Sequence, residues 1–176
     1  MTTLHDVETR TFSWRPVKGV KKTIEVYAGS DVFGTLRQER GRPSVVAIDG
    51  SRWVFEKDKG IMTVRAEDGS ALATFVAGKG GEGMLTLADG RILHWAPTKK
   101  GQAERAFYDE TGARIVRFWK DWQILKVEDR GEADPGMATR PEFSLLVALG
   151  RVIGVGSDDD GSIDGSIAAV IAATGV

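Results

Sequence analysis

Two short basic runs carry the side chains best suited to hold a partner. Arg15-Pro-Val-Lys18-Gly-Val-Lys21-Lys22 follows Trp14, and Thr98-Lys99-Lys100-Gly-Gln-Ala-Glu-Arg105 follows a second aromatic strand. Cations beside an aromatic suit phosphate or an anionic headgroup, with Arg offering a flat donor fork and Lys a mobile point charge. The plain alternative is a pair of solvated loops. On the binding reading Arg15, Lys18, Lys21, Lys22, Lys99 and Lys100 are the candidate contacts.

Chemistry of other kinds finds little support. There is no cysteine, which excludes disulfides, thiol catalysis and cysteine-based zinc sites. The two histidines, His5 and His94, are far apart in the chain, and His94 sits beside Trp95 in a strand-like segment, so it reads as a wall or core residue. No serine occupies a Gly-x-Ser-x-Gly elbow. Gly78-Lys-Gly-Gly-Glu-Gly83 lacks the Gly-Lys-Ser/Thr ending of a phosphate loop and reads as a hairpin connection. Asp158, Asp160 and Gly161 echo a calcium loop, but Ile167 stands where its bidentate glutamate belongs. The expectation is a binding protein rather than an enzyme, with no catalytic group, metal or cofactor.

Charge is unevenly placed. The net charge is −1; the four aspartates of residues 157–176, with no Lys or Arg beside them, contribute −4 and leave +3 on residues 1–156. A body so weakly basic is not a nucleic-acid binder by composition. The first residues lack a basic-then-apolar leader, which points to a cytoplasmic protein.

The elements that must position these residues are mostly strands. Turn dipeptides recur at Asp49-Gly50, Asp68-Gly69, Asp89-Gly90 and Thr111-Gly112, between segments rich in β-branched and aromatic residues. Such dipeptides mark hairpins because tight turns need positive φ. Twelve strands are expected, beginning near Thr11, Thr23, Val32, Ser44, Arg52, Ile61, Ala71, Met84, Arg91, Glu104, Ala113 and Trp122. Similar phrases such as Ile48-Asp-Gly-Ser-Arg-Trp-Val-Phe55 and Ala88-Asp-Gly-Arg-Ile-Leu-His-Trp95 reflect repeated hairpin grammar rather than duplication. Glu128–Gly136 reads as a polar linker. A helix is expected over about 140–155, with Thr139 as its cap and Glu142 completing a capping box. Residues 1–10 are expected to be a flexible N-terminus and 157–176 an acidic, flexible tail.

The stretch Phe143–Val155 is apolar on nearly every helical face, so it must be buried. It is shorter than the ~20 residues of a membrane span. Twelve strands spaced ~4.8 Å apart and tilted ~40° close at a radius of ~12 Å, too wide for side chains alone to fill. A helix ~10–12 Å across fits that interior. The expected fold is therefore mainly β: one closed antiparallel barrel of about twelve strands, residues 11–156, around a buried C-terminal helix.

This order of elements resembles the tubby C-terminal-like superfamily, which takes in tubby-like, LURP-one-related and phospholipid scramblase-like barrels. Ile24-Glu-Val-Tyr-Ala-Gly-Ser-Asp-Val-Phe-Gly-Thr-Leu36 is similar to an early hairpin of that superfamily, and Ala113–Trp119 with Asp121-Trp-Gln-Ile-Leu125 to its closing strands. The resemblance implies a barrel enclosing its C-terminal helix and binding of anionic phospholipid or phosphoinositide, or of a protein, peripherally at a membrane. Two other functions stay open: anchoring or lipid movement through the helix, and a small-ligand carrier or enzyme with its site at the barrel mouth.

Overall fold

Alternation decides which face of each strand turns inward. Trp53 and Phe55, Met62 and Val64, Ala73 and Phe75, Leu85 and Leu87, and Leu93 and Trp95 are all buried, and the residues between them face outward. In the computed structural model, residues 11–20, 22–37, 44–99, 103–123 and 126–155 are described. They form β1 (Thr11–Pro16), β2 (Thr23–Ala28), β3 (Asp31–Arg37), β4 (Ser44–Ile48), β5 (Ser51–Asp58), β6 (Ile61–Ala66), β7 (Ala71–Ala77), β8 (Gly83–Leu87), β9 (Ile92–Pro97), β10 (Arg105–Tyr108), β11 (Arg114–Gln123), β12 (Lys126–Ala133) and α1 (Phe143–Gly150). Every strand pairs antiparallel with its sequence neighbours, and β1 closes on β12 through Thr11↔Glu132 to Trp14↔Asp129. The result is a closed twelve-stranded barrel, which has no exposed sheet edge.

Helix α1 lies in the interior. All of its residues are buried, in one cluster with the inward side chains of the wall. It enters where the β4–β5 turn and its like lie: Ser144 Oγ donates to Asp49 at 2.8 Å, and Arg91 grips Glu142 at 2.8 Å. It then passes Phe118, which packs against Gly150, and ends with Gly154 against Trp95. Beyond Gly150 the helix widens to a π turn over Arg151–Val155. The chain therefore enters at one end of the barrel, the base, and leaves at the other, the mouth.

Two expectations need correction. The segment from Glu128 is not a linker: Glu128–Ala133 belongs to β12. Its carboxylates are satisfied: Glu128 by Arg15 across the sheet and by Arg130 of the same strand, Glu132 by Arg117 across the sheet, and Asp129 by Arg151 of the enclosed helical segment. Paired in this way, acidic residues are compatible with a strand. The helix begins at Phe143, not near residue 140, because Thr139 donates to the Gly136 carbonyl instead of capping and Glu142 is held by Arg91. The expected N-terminal segment and acidic tail lie outside the described residues.

Candidate functional site

Antiparallel connectivity sorts the connections between the two ends. The turns after β2, β4, β6, β8 and β10 lie at the base, and those after β1, β5, β7 and β9 at the mouth. The base carries Asp49, Glu67, Asp68, Asp89, Asp109 and Glu110. The mouth carries Lys18, Lys22, Lys59, Lys79 and Lys99, with Asp58, Glu82 and Glu104 as its acids. Two unlike ends follow from one topology.

The base is tied shut by arginines. Arg91 binds Asp89 and Glu142, both at 2.8 Å, and Arg140 binds Asp109 at 2.9 Å. Hydrogen bonds hold the turn carboxylates ionised. The Thr111 hydroxyl, helped by the Ala113 and Thr111 amides and by Arg140, lowers Asp109 to about 2. The Ser70 hydroxyl lowers Asp68, and the Arg91 amide lowers Asp89. These charges are already committed to the fold.

The mouth lysines are placed differently. Lys18, Lys22, Lys59, Lys79 and Lys99 are exposed and make no ion pair among the described residues. Lys22 (φ 63°) and Lys59 (φ 46°) occupy the left-handed backbone region, which Gly or Asn would adopt more easily. Asp49 at the base does the same (φ 51°), so the conformation belongs to tight turns at both ends of the barrel.

Apolar side chains stand among these cations. Val20, Ile61, Val76, Met84, Trp122 and Val127 are exposed and lie at the mouth end, and Val32 is the one exposed large hydrophobic of the described residues at the base. They form ordered groups. Ile61 pairs with Val76 and Val76 with Met84 across β6, β7 and β8. Trp122 pairs with Val127 near the tip of the β11–β12 hairpin, and Trp122 is 72% exposed. Around the rim, Lys18 and Lys22 are followed by Trp122 and Val127, then Lys99, then Lys79 with Val76 and Met84, then Lys59 with Ile61.

Of the residues singled out from sequence, Lys18, Lys22 and Lys99 come together at this end. Lys21 and Lys100 lie outside the described residues. Arg15 is engaged elsewhere: it binds Glu128 and stacks 4.7 Å over the Tyr27 ring. Lys59, Lys79, Trp122 and the Ile61–Val76–Met84 row were missed. Lys59 lies in the mixed-charge run Glu56-Lys57-Asp58-Lys59 and Lys79 is a single cation among glycines, and only barrel closure brings them to the same rim. Strand alternation could have flagged Ile61, Val76 and Met84 as outward apolar residues.

Other candidates are weaker. His94 is exposed on the outer wall, between Met84 and Tyr108 in register. No group of three metal-ligating side chains exists among the described residues. In the Gly78–Gly83 connection the Arg105 guanidinium lies against Gly81 and donates to the Gly80 carbonyl, bracing the turn. A polar cleft of about 440 Å³ on the outer wall is lined by Lys99, Tyr108, Arg114 and Arg117, but Arg114 pairs with Asp134 and Arg117 with Glu132. No helix of the described residues is long and apolar enough to cross a membrane.

No protein-family model, curated protein or solved structure matches this chain.

Proposed function

We propose that this protein is a non-enzymatic barrel that binds anionic phospholipid peripherally, mouth first. The observation that carries the reading is the interleaving of exposed lysines with Trp122, Val127 and the Ile61–Val76–Met84 row on one rim. Lysines near an anionic leaflet contribute about 1 kcal/mol each. Trp is favoured at the headgroup level, where its ring meets acyl chains and its N–H meets water. Cations alone would suit any polyanion; the apolar groups among them favour a bilayer surface. The tubby-like resemblance points the same way. A lumenal carrier is disfavoured because α1 fills the interior.

The test is co-sedimentation with neutral and anionic vesicles at low and physiological salt. Binding to anionic vesicles alone, weakened by salt, is expected. Lys59→Asn should reduce affinity about fivefold without lowering the melting temperature, because Asn tolerates the left-handed backbone. Trp122→Ala should weaken binding at every salt concentration. Equal binding to neutral and anionic vesicles would sink the reading.

A further inference from the structure

The polar cleft on the outer wall lies where β9, β10 and β11 run side by side. Ala96, Ala106 and Arg117 are register partners across these strands. Alternation turns all three outward, since their neighbours Trp95, Phe107 and Phe118 belong to the core. Two small side chains in a row leave room between longer ones, and Ala106 has no exposed surface although it faces outward. The hollow measures about 440 Å³, within the range of small-molecule sites.

The polar groups around it are unequally committed. Arg117 is taken up: its Nε donates to Glu132 at 2.9 Å, Glu104 lies 3.6 Å away, and the guanidinium stacks 4.8 Å from the Trp119 ring centre. Arg114 gives its Nε to Asp134 at 2.8 Å, and its Nη groups make no hydrogen bond among the described residues. Lys99 makes no ion pair and the Tyr108 hydroxyl no hydrogen bond among those residues. Thr98 Oγ1 is buried without a hydrogen-bond partner, which costs stability unless something meets it. All four of these groups can donate. We propose that the cleft binds a small organic acid through a single carboxylate, held by Lys99, Arg114, Thr98 and Tyr108. Charge selects the class. The lining sets three cations against two carboxylates, so one negative charge balances it. A phosphate dianion would place a second negative charge beside Glu104 and Asp134. Donors that meet a carboxylate make the stronger, charge-assisted kind of hydrogen bond. The site does not depend on membrane binding.

NMR titration of the isotope-labelled full chain tests this, with benzoate and hexanoate as probes and benzamide and inorganic phosphate as controls. Both acids should give saturable shifts of the Thr98, Tyr108 and Arg114 amides, and the controls far smaller ones. Thr98→Val removes a buried hydroxyl that has no partner and keeps the side chain's shape. The variant should therefore melt no lower than the wild type, yet bind the acids about fivefold more weakly. Lys99→Gln should weaken binding by a similar factor. The absence of saturable shifts at these amides with both acids overturns the proposal. A response to benzamide equal to that to benzoate overturns recognition of the charge, and phosphate binding as tightly as benzoate overturns the choice of a single carboxylate. Unchanged affinity in Thr98→Val places the acids outside the cleft and overturns it as well.

Discussion

Asp109 shows how much one turn residue can hold. Its carboxylate accepts from the Thr111 hydroxyl at 2.6 Å and from the Thr111 and Ala113 amides at 3.0 Å, and it meets Arg140 at 2.9 Å. It ties the β10–β11 turn to the segment that leads into α1. Its folded-state pKa of about 2 lies below the usual ~3.9 of aspartate. The stability it contributes is therefore complete above about pH 4 and lost as pH falls toward 2. Asp109→Asn should lower stability by about 1–2 kcal/mol at pH 7. In urea unfolding that deficit should shrink between pH 4 and pH 2; a deficit constant over this range would refute the assignment. The turn itself was legible from Thr111-Gly112, since Gly112 takes positive φ. Arg140 as partner was not, because it lies 31 residues away along the chain. Arg15 failed as a candidate for the same reason: Glu128, 113 residues on, claims it.

Among elements, strands could be read almost completely and the helix only in part. Eleven of the expected strand starts fall within one residue of those observed, because alternation and turn residues are local signals. The twelfth was placed at Trp122, whereas β11 continues through Gln123 and β12 begins at Lys126. The polar text of β12 hid it, since each of its acids is matched by an arginine on another element, Glu128 by Arg15, Asp129 by Arg151 and Glu132 by Arg117. The helix was legible from its uniform apolarity, but its start was not, because Arg91 competes for Glu142. Gly150, inside that apolar run, is a packing requirement. A Cβ there would overlap the Phe118 ring. Phe118 cannot retreat, for it packs against Phe12, Trp95 and Phe107 at ring separations of 5.8, 5.6 and 6.2 Å. Ala has an advantage of ~1 kcal/mol over Gly in an exposed helix. Overpacking costs about 1–3 kcal/mol, so Gly150→Ala should destabilise the protein in thermal melts. A higher melting temperature would show that the helix can shift inside its barrel.

At the scale of the molecule, the two basic residue types divide the work. Arginines carry the ion pairs that close the wall and base, where a planar fork can hold two oxygens or two acids. Exposed lysines collect at the mouth. That polarity was not visible along the sequence, because alternate connections sort to opposite ends only once the barrel closes. Closure is also a matter of the whole chain: β1 must pair with β12, and α1, which follows β12, must lie inside the wall that this pairing completes. Such non-local pairing makes barrel and helix one cooperative unit. The amides of α1 should then exchange hydrogen only through global unfolding, at the rate of the central strands. Leu146→Ala, at a fully buried helix position, should cost about 2–5 kcal/mol and accelerate exchange in strands and helix together. Faster exchange of α1 alone would mean that it leaves the barrel while the wall stays intact. Release of that kind is what anchoring by an inserted helix requires, whereas a rigid mouth meeting a membrane with its lysines and Trp122 needs α1 to stay in place. A common exchange rate would therefore favour surface docking over insertion, independently of any binding assay.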